Sequence, residues 1–129
     1  MADLTLTAGE LVDAARALGA IRGRKFNNPK ASYALSRIMV KADKELTTLE
    51  EQRVKLCEQH AAKDDEGKAK KLEDGRYDIP DMEAFTKDWN AIRSETVMLP
   101  GCRPITVDET EGAGLTPDEF KDLGPFVVE

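Results

Sequence analysis

The chain is short of aromatic side chains. One tryptophan, two tyrosines and four phenylalanines make up 5% of its 129 residues, too few for a thick aromatic core. It has one histidine and two cysteines, Cys57 and Cys102. A zinc site needs three or four ligands, and Cys57-x-x-His60 supplies only a corner of one, so no metal is expected. Two cysteines do not make a disulfide framework and suit a reducing compartment. No run of eighteen apolar residues occurs, which predicts no membrane span, and the first residues hold no apolar h-region, which predicts no secretion signal. Also missing are Gly-x-Ser-x-Gly, a glycine-rich phosphate loop and a Cys–His dyad with a third member. Acidic residues are common enough in the second half to pair by chance, but nothing places two of them in an apolar pocket. The expectation is a protein that is not an enzyme and carries no cofactor.

What the chain has in abundance is charge. Charged residues make up 34% against 40% hydrophobic, with a net charge of −6. That sign disfavours general coating of nucleic acid. The charge is unevenly divided: residues 1–62 carry ten Lys/Arg and eight Asp/Glu, residues 63–129 nine Lys/Arg and seventeen Asp/Glu. A basic half and an acidic half can steer two copies, or two halves of one fold, together, although solvated helix faces of differing composition give the same numbers.

The length suits one domain over 1–129. Leu4 and Leu6 alternate with polar residues across 2–6, a short strand pattern. Thr7 and Glu10 form a capping box opening a helix over about 8–19, with Gly19 at its end. A loop follows over 21–30, and Asn28-Pro29 opens the dominant element. Leu35, Met39, Ala42, Leu46, Leu49, Arg53, Leu56 and His60 recur at spacings of four and three, a heptad seam in a helix over 30–62 of about 45–50 Å. Residues 63–80 are polar and turn-rich, read as an exposed, mobile tip. Asp81 caps a partner helix over 81–97 with Met82, Phe85, Trp89, Ile92 and Thr96 on one face, Phe85 and Trp89 being expected to supply core aromatic area. Ile105-Thr106-Val107 has strand character. Thr116, Pro117 and Glu119 cap a C-terminal helix with Leu115 and Phe120 as a hydrophobic staple, and Gly124-Pro125 stops it. The apolar tail Phe126-Val127-Val128 is expected to dock on the body or join a sheet edge. No internal repeat is evident. The fold class is mainly α: a long antiparallel helical hairpin with short flanking helices and minor β segments.

Several short words recur in one order: an Asn/Pro-opened Ser-Tyr-x-Leu helix, Lys63-Asp64-Asp65-Glu66-Gly67, Asp81-Met82-Glu83-Ala84-Phe85, Glu95-Thr96-Val97, Ile105-Thr106-Val107-Asp108, Leu115-Thr116-Pro117 and Leu123-Gly124-Pro125-Phe126. In this order they resemble a family of small uncharacterised proteins encoded by tailed bacteriophages and prophages. The resemblance covers nearly the whole chain and includes no catalytic signature. Trp89 departs from it, standing where an aliphatic or Glu/Leu-rich helix is expected. It implies a phage protein in the host bacterial cytoplasm, with virion association open, and no functional residues carry over.

The candidate binding cluster is Arg22, Arg24, Lys25, Phe26 and Lys30. Cations around one aromatic ring, beside the start of a long helix, are the ingredients of an anion or nucleotide pocket. The plainer reading is a solvated basic loop complementing the acidic half. The leading functional expectation is a phage accessory protein acting through protein contacts, assembly- or chaperone-like or inhibiting a host protein, and forming an even-numbered homo-oligomer. The alternative is an anti-defence protein that sequesters a nucleotide signal. No membrane partner is expected.

Overall fold

A computed structural model describes residues 3–129; Ala2, the first residue of the expected strand, lies outside them. The chain runs β1 (Leu4–Thr7), α1 (Ala8–Ile21), α2 (Pro29–His60), α3 (Met82–Arg93), β2 (Thr96–Leu99), β3 (Ile105–Thr106), a 3₁₀ turn (Asp108–Thr110), α4 (Pro117–Leu123), a second 3₁₀ turn (Gly124–Phe126) and β4 (Val127–Val128). The fold is mainly α, organised on a long helix and its antiparallel partner. Among the described residues, no helix is long and apolar enough to cross a membrane.

The helix boundaries follow the capping chemistry. Thr7 Oγ1 accepts from Glu10 N at 3.1 Å while Glu10 Oε1 accepts from Thr7 N at 2.9 Å, and the reciprocal pair opens α1. Asn28 Oδ1 accepts from Lys30 N at 2.9 Å, with Pro29 in the first turn of α2. Thr116 and Glu119 repeat the capping box at α4. The end of α1 differs from expectation. The helix continues through Gly19 to Ile21, because Ile21 is fully buried and its burial outweighs the weak local preference of one glycine to stop.

The core lies at one end of the molecule. Leu11, Ala14, Ala17, Leu18 and Ile21 of α1 pack with Leu35, Ile38, Met39 and Ala42 of α2. The antiparallel β1–β2 ribbon covers them, with Leu4 opposite Leu99 and Leu6 opposite Val97 facing in, and Thr5 opposite Met98 facing out. Leu123 and Phe126 close the same cluster. The apolar tail does both things open to it: Phe126 is buried, and Val127-Val128 pair in parallel with Ile105-Thr106.

Two expectations about the hairpin are corrected. The partner helix ends at Arg93, and Thr96, placed on its seam by spacing, pairs with Thr7 in the ribbon. Four residues of ladder bury Val97 and Leu99, which one more helical turn would not do. Nor do Phe85 and Trp89 belong to the core cluster; both are half-buried, and no residue of α3 is fully buried. They lie on a helix that meets α2 and α1 along one side and leaves its remaining face in water. The core's aromatic weight falls instead on Phe126, with Phe26 packed at its edge.

The segment 61–78 has an order that its polar composition conceals. Ala62 N donates to Asp78 O at 2.8 Å, Lys70 N to Ala62 O at 2.7 Å, and Asp78 N to Lys70 O at 2.9 Å, closing a ring of three backbone hydrogen bonds. Two turns of the same build join these corners. Asp64 N donates to Lys68 O and Gly67 N to Asp64 O in the first; Leu72 N donates to Arg76 O and Gly75 N to Leu72 O in the second. Both glycines sit at positive φ, +80° and +87°. The expectation of no internal repeat is corrected here: the two turns share a short word at eight-residue spacing, Lys63-x-x-Glu66-Gly67-Lys68 and Lys71-x-x-Asp74-Gly75-Arg76, too brief to stand out until the turns are seen to match.

Candidate functional site

The expected cluster is taken apart by ion pairs. Arg22 reaches back to α2 and bonds both carboxylate oxygens of Asp43, at 2.8 and 2.9 Å. Arg24 points the other way and grips Glu119 of α4 through two bonds of 2.7 Å, a fork-to-fork pair that staples the loop to the C-terminal helix. That guanidinium, with the capping bond from Thr116 N, holds the Glu119 carboxyl below the usual carboxylate range. Phe26 turns its ring into the edge of the core rather than toward a ligand. Lys25 is exposed. Lys30 lines a cavity of about 620 Å³, and Arg22 borders a separate depression of about 570 Å³ that it shares with Asp43, Glu50 and Glu51.

Cys57 and His60 do not form a metal corner. Arg53 Nη1 lies 3.6 Å from Cys57 Sγ, whereas His60 Nε2 lies 2.7 Å from Asp88 Oδ2 with its ring edge-on to Phe85. The polar end of the seam thus joins α2 to α3. Among the described residues no group of three or more His, Cys, Asp or Glu is placed to hold a metal ion.

The surface that stands out is the face of α2 opposite the seam. Lys30, Tyr33, Arg37, Val40, Lys41 and Lys44 follow one another at helical spacing over roughly 21 Å. Tyr33 is 66% and Val40 69% exposed, large values for such residues. Among the described residues, none of these four cations enters an ion pair, and no acidic residue falls within the stripe. Met98, 53% exposed on the outer side of β2, borders Lys41 and Lys44 in a shallow depression that also includes Glu45.

At the N-terminal end of the stripe lies a cavity of about 620 Å³, walled by Pro29, Lys30, Tyr33, Ala34 and Arg37 on one side and Gly101, Cys102 and Arg103 on the other. A tight turn builds the second wall: Cys102 N donates to Leu99 O across Pro100-Gly101, and Gly101 has φ +71°. Gly101 N donates to Asp3 Oδ1 at 2.9 Å, fixing the turn to the start of β1. The positive φ is what calls for glycine here; a Cβ would also lie 2.5 Å from Arg37 Nη2, which a flexible side chain can relieve by moving. The Arg37 guanidinium carbon sits 5.8 Å from the centre of the Tyr33 ring. Burial pushes the Cys102 thiol up, against the pull of Arg37 and Lys41. Arg103 is held by Glu109 through two bonds of 2.9 Å, which with the bond from Thr106 N brings the Glu109 carboxyl down to about 2.

Sequence reasoning missed Tyr33, Arg37 and Cys102. A signal was available: a second three-four rhythm through Lys30, Tyr33, Arg37, Val40 and Lys44, antiphase to the seam and free of acids. The approach of residues 101–103 had none, because they stand more than sixty residues along the chain from the part of α2 they face.

No protein-family model matches the sequence, and neither a curated protein nor a solved structure resembles it at a significant level.

Proposed function

We propose that this is a non-enzymatic binding protein whose working surface is the outer face of α2 around Val40, Lys41, Lys44 and Met98, and that its partner is a protein presenting apolar side chains among acidic ones. The observation that carries this is an unpaired cationic stripe with exposed apolar residues in a chain of net charge −6. Apolar centres supply the area and surrounding charge selects the partner. The setting we propose, following the resemblance, is a phage-infected bacterium, with the partner a phage assembly component or a host protein. Two-fold pairing of this face with itself would set cation against cation, so the even-numbered self-association also proposed uses another surface.

The test is reconstitution. Proteins retained from infected cells by the wild type are purified and titrated against wild type and against Lys41→Glu/Lys44→Glu and Val40→Asp variants. All three substitutions are at exposed positions and leave the fold intact. Binding that weakens with added salt and falls at least about tenfold in the variants supports the reading. A partner whose affinity ignores both variants overturns it.

A further inference from the structure

The cavity at the N-terminal end of α2 has a chemistry of its own, which the stripe beyond it does not share. Its volume falls within the range of small-molecule sites, about 300–1,000 Å³. Its floor and sides are apolar: Pro29, Ala34, the buried Cys102 and the Tyr33 ring. Three cations stand round it and no carboxylate lines it. They are not equivalent. Arg103 is neutralised by Glu109, and Asp3 lies behind the turn, bonded to Gly101 N. Lys30 and Arg37 are therefore the charges left to face an occupant. Arg37 stands beside the aromatic wall, its guanidinium carbon 5.8 Å from the centre of the Tyr33 ring.

We propose that this cavity binds a small organic anion with a flat ring, the ring lying on the apolar wall beside Tyr33 and the anionic group meeting Lys30 and Arg37. A nucleoside monophosphate and an aromatic carboxylate share that chemistry. Neither half suffices alone: inorganic phosphate leaves the apolar wall wet, and an uncharged nucleoside leaves both cations unpaired. The site goes beyond protein docking at Val40 and Lys44 and does not depend on it.

Cys102 gives a local readout, because it forms part of the wall, while Cys57 lies far along α2 and serves as internal control. Wild-type protein is treated with a thiol reagent and the labelling of each cysteine is followed by peptide mass spectrometry, with adenosine 5′-monophosphate, 4-hydroxybenzoate, adenosine or inorganic phosphate present. Calorimetry is run in parallel. Protection of Cys102 but not Cys57 by one of the two ring-bearing anions, with little from adenosine or phosphate, is the expected result, and which anion protects distinguishes the two sources. Lys30→Glu should weaken that binding about tenfold or more while leaving the melting curve in place, since an acid in the first turn suits the helix dipole. Four probes without effect on Cys102, protection by phosphate alone, or binding unchanged in Lys30→Glu would each overturn the proposal.

Discussion

The two halves of α2 share one heptad seam and end in different surroundings. From Ala31 to Ala42 the helix buries a broad stripe, because α1, the β1–β2 ribbon and the C-terminal turn close on it from several sides. From Leu46 onward only a narrow line remains, with Leu49 and Cys57 buried, Leu46 half-buried against the edge of the core, and Leu56 half-buried beyond it. The first half is held by apolar packing. The second is held by local polar links: Glu50–Arg53, His60–Asp88, Tyr77 to Glu58, and the three-cornered backbone ring beyond it. Rhythm in a sequence thus marks which face of a helix turns inward, and the number of neighbouring layers sets how much that face is worth.

The comparison can be broken most easily at its strong end. Phe126→Ala removes a ring that is 1% exposed and should cost about 3–5 kcal/mol, whereas Trp89→Ala, half-buried beside the second half of α2, should cost about 1–2 kcal/mol despite the larger ring. Chemical denaturation of the two variants checks the order; equal losses would show that both halves are packed alike. A smaller effect is expected at the tip, where Gly75→Ala puts a side chain at φ +87° and should cost roughly 1 kcal/mol. If hydrogen exchange at Leu72 and Asp78 speeds up in this variant while the core amides keep their rates, the ring is a separate cooperative unit.

The remaining effect is one of pH. Glu109 is held at about 2 in the folded chain against an ordinary value of 4.5. A depressed folded value stabilises the protein above pH 4.5, and that contribution is lost as pH falls from about 4.5 toward 2. Glu109→Gln should therefore show a shallower decline of stability over that window than the wild type. Parallel acid titrations would remove the assignment.

Much of the fold could be read from local chemistry. The two Thr/Glu capping boxes, Asn28-Pro29 and Gly124-Pro125 bounded three helices, since each signal acts within four residues. The seam of α2 was legible because burial on one helix face imposes its own period. Where partners lie far apart in sequence, local pattern carried no information. Arg24 and Glu119 stand 95 residues apart, so a basic loop looked available for a ligand when it was committed to an ion pair. Thr96 kept helical spacing but was taken into a ladder with Thr7. Cys102 reached the cavity through the turn at Pro100-Gly101, which faces a helix far away in sequence, a meeting no spacing rule predicts.

By itself, then, the sequence determined where helices begin, which side of the long one faces inward, and that charge would cover the rest, because those outcomes follow from capping, periodicity and solvation within a few residues. Only the tertiary structure decided which cations were neutralised and which were left free. Pairing depends on what the folded chain brings within 3 Å, and Lys30 and Arg37 remained unpaired only because no carboxylate was brought to them.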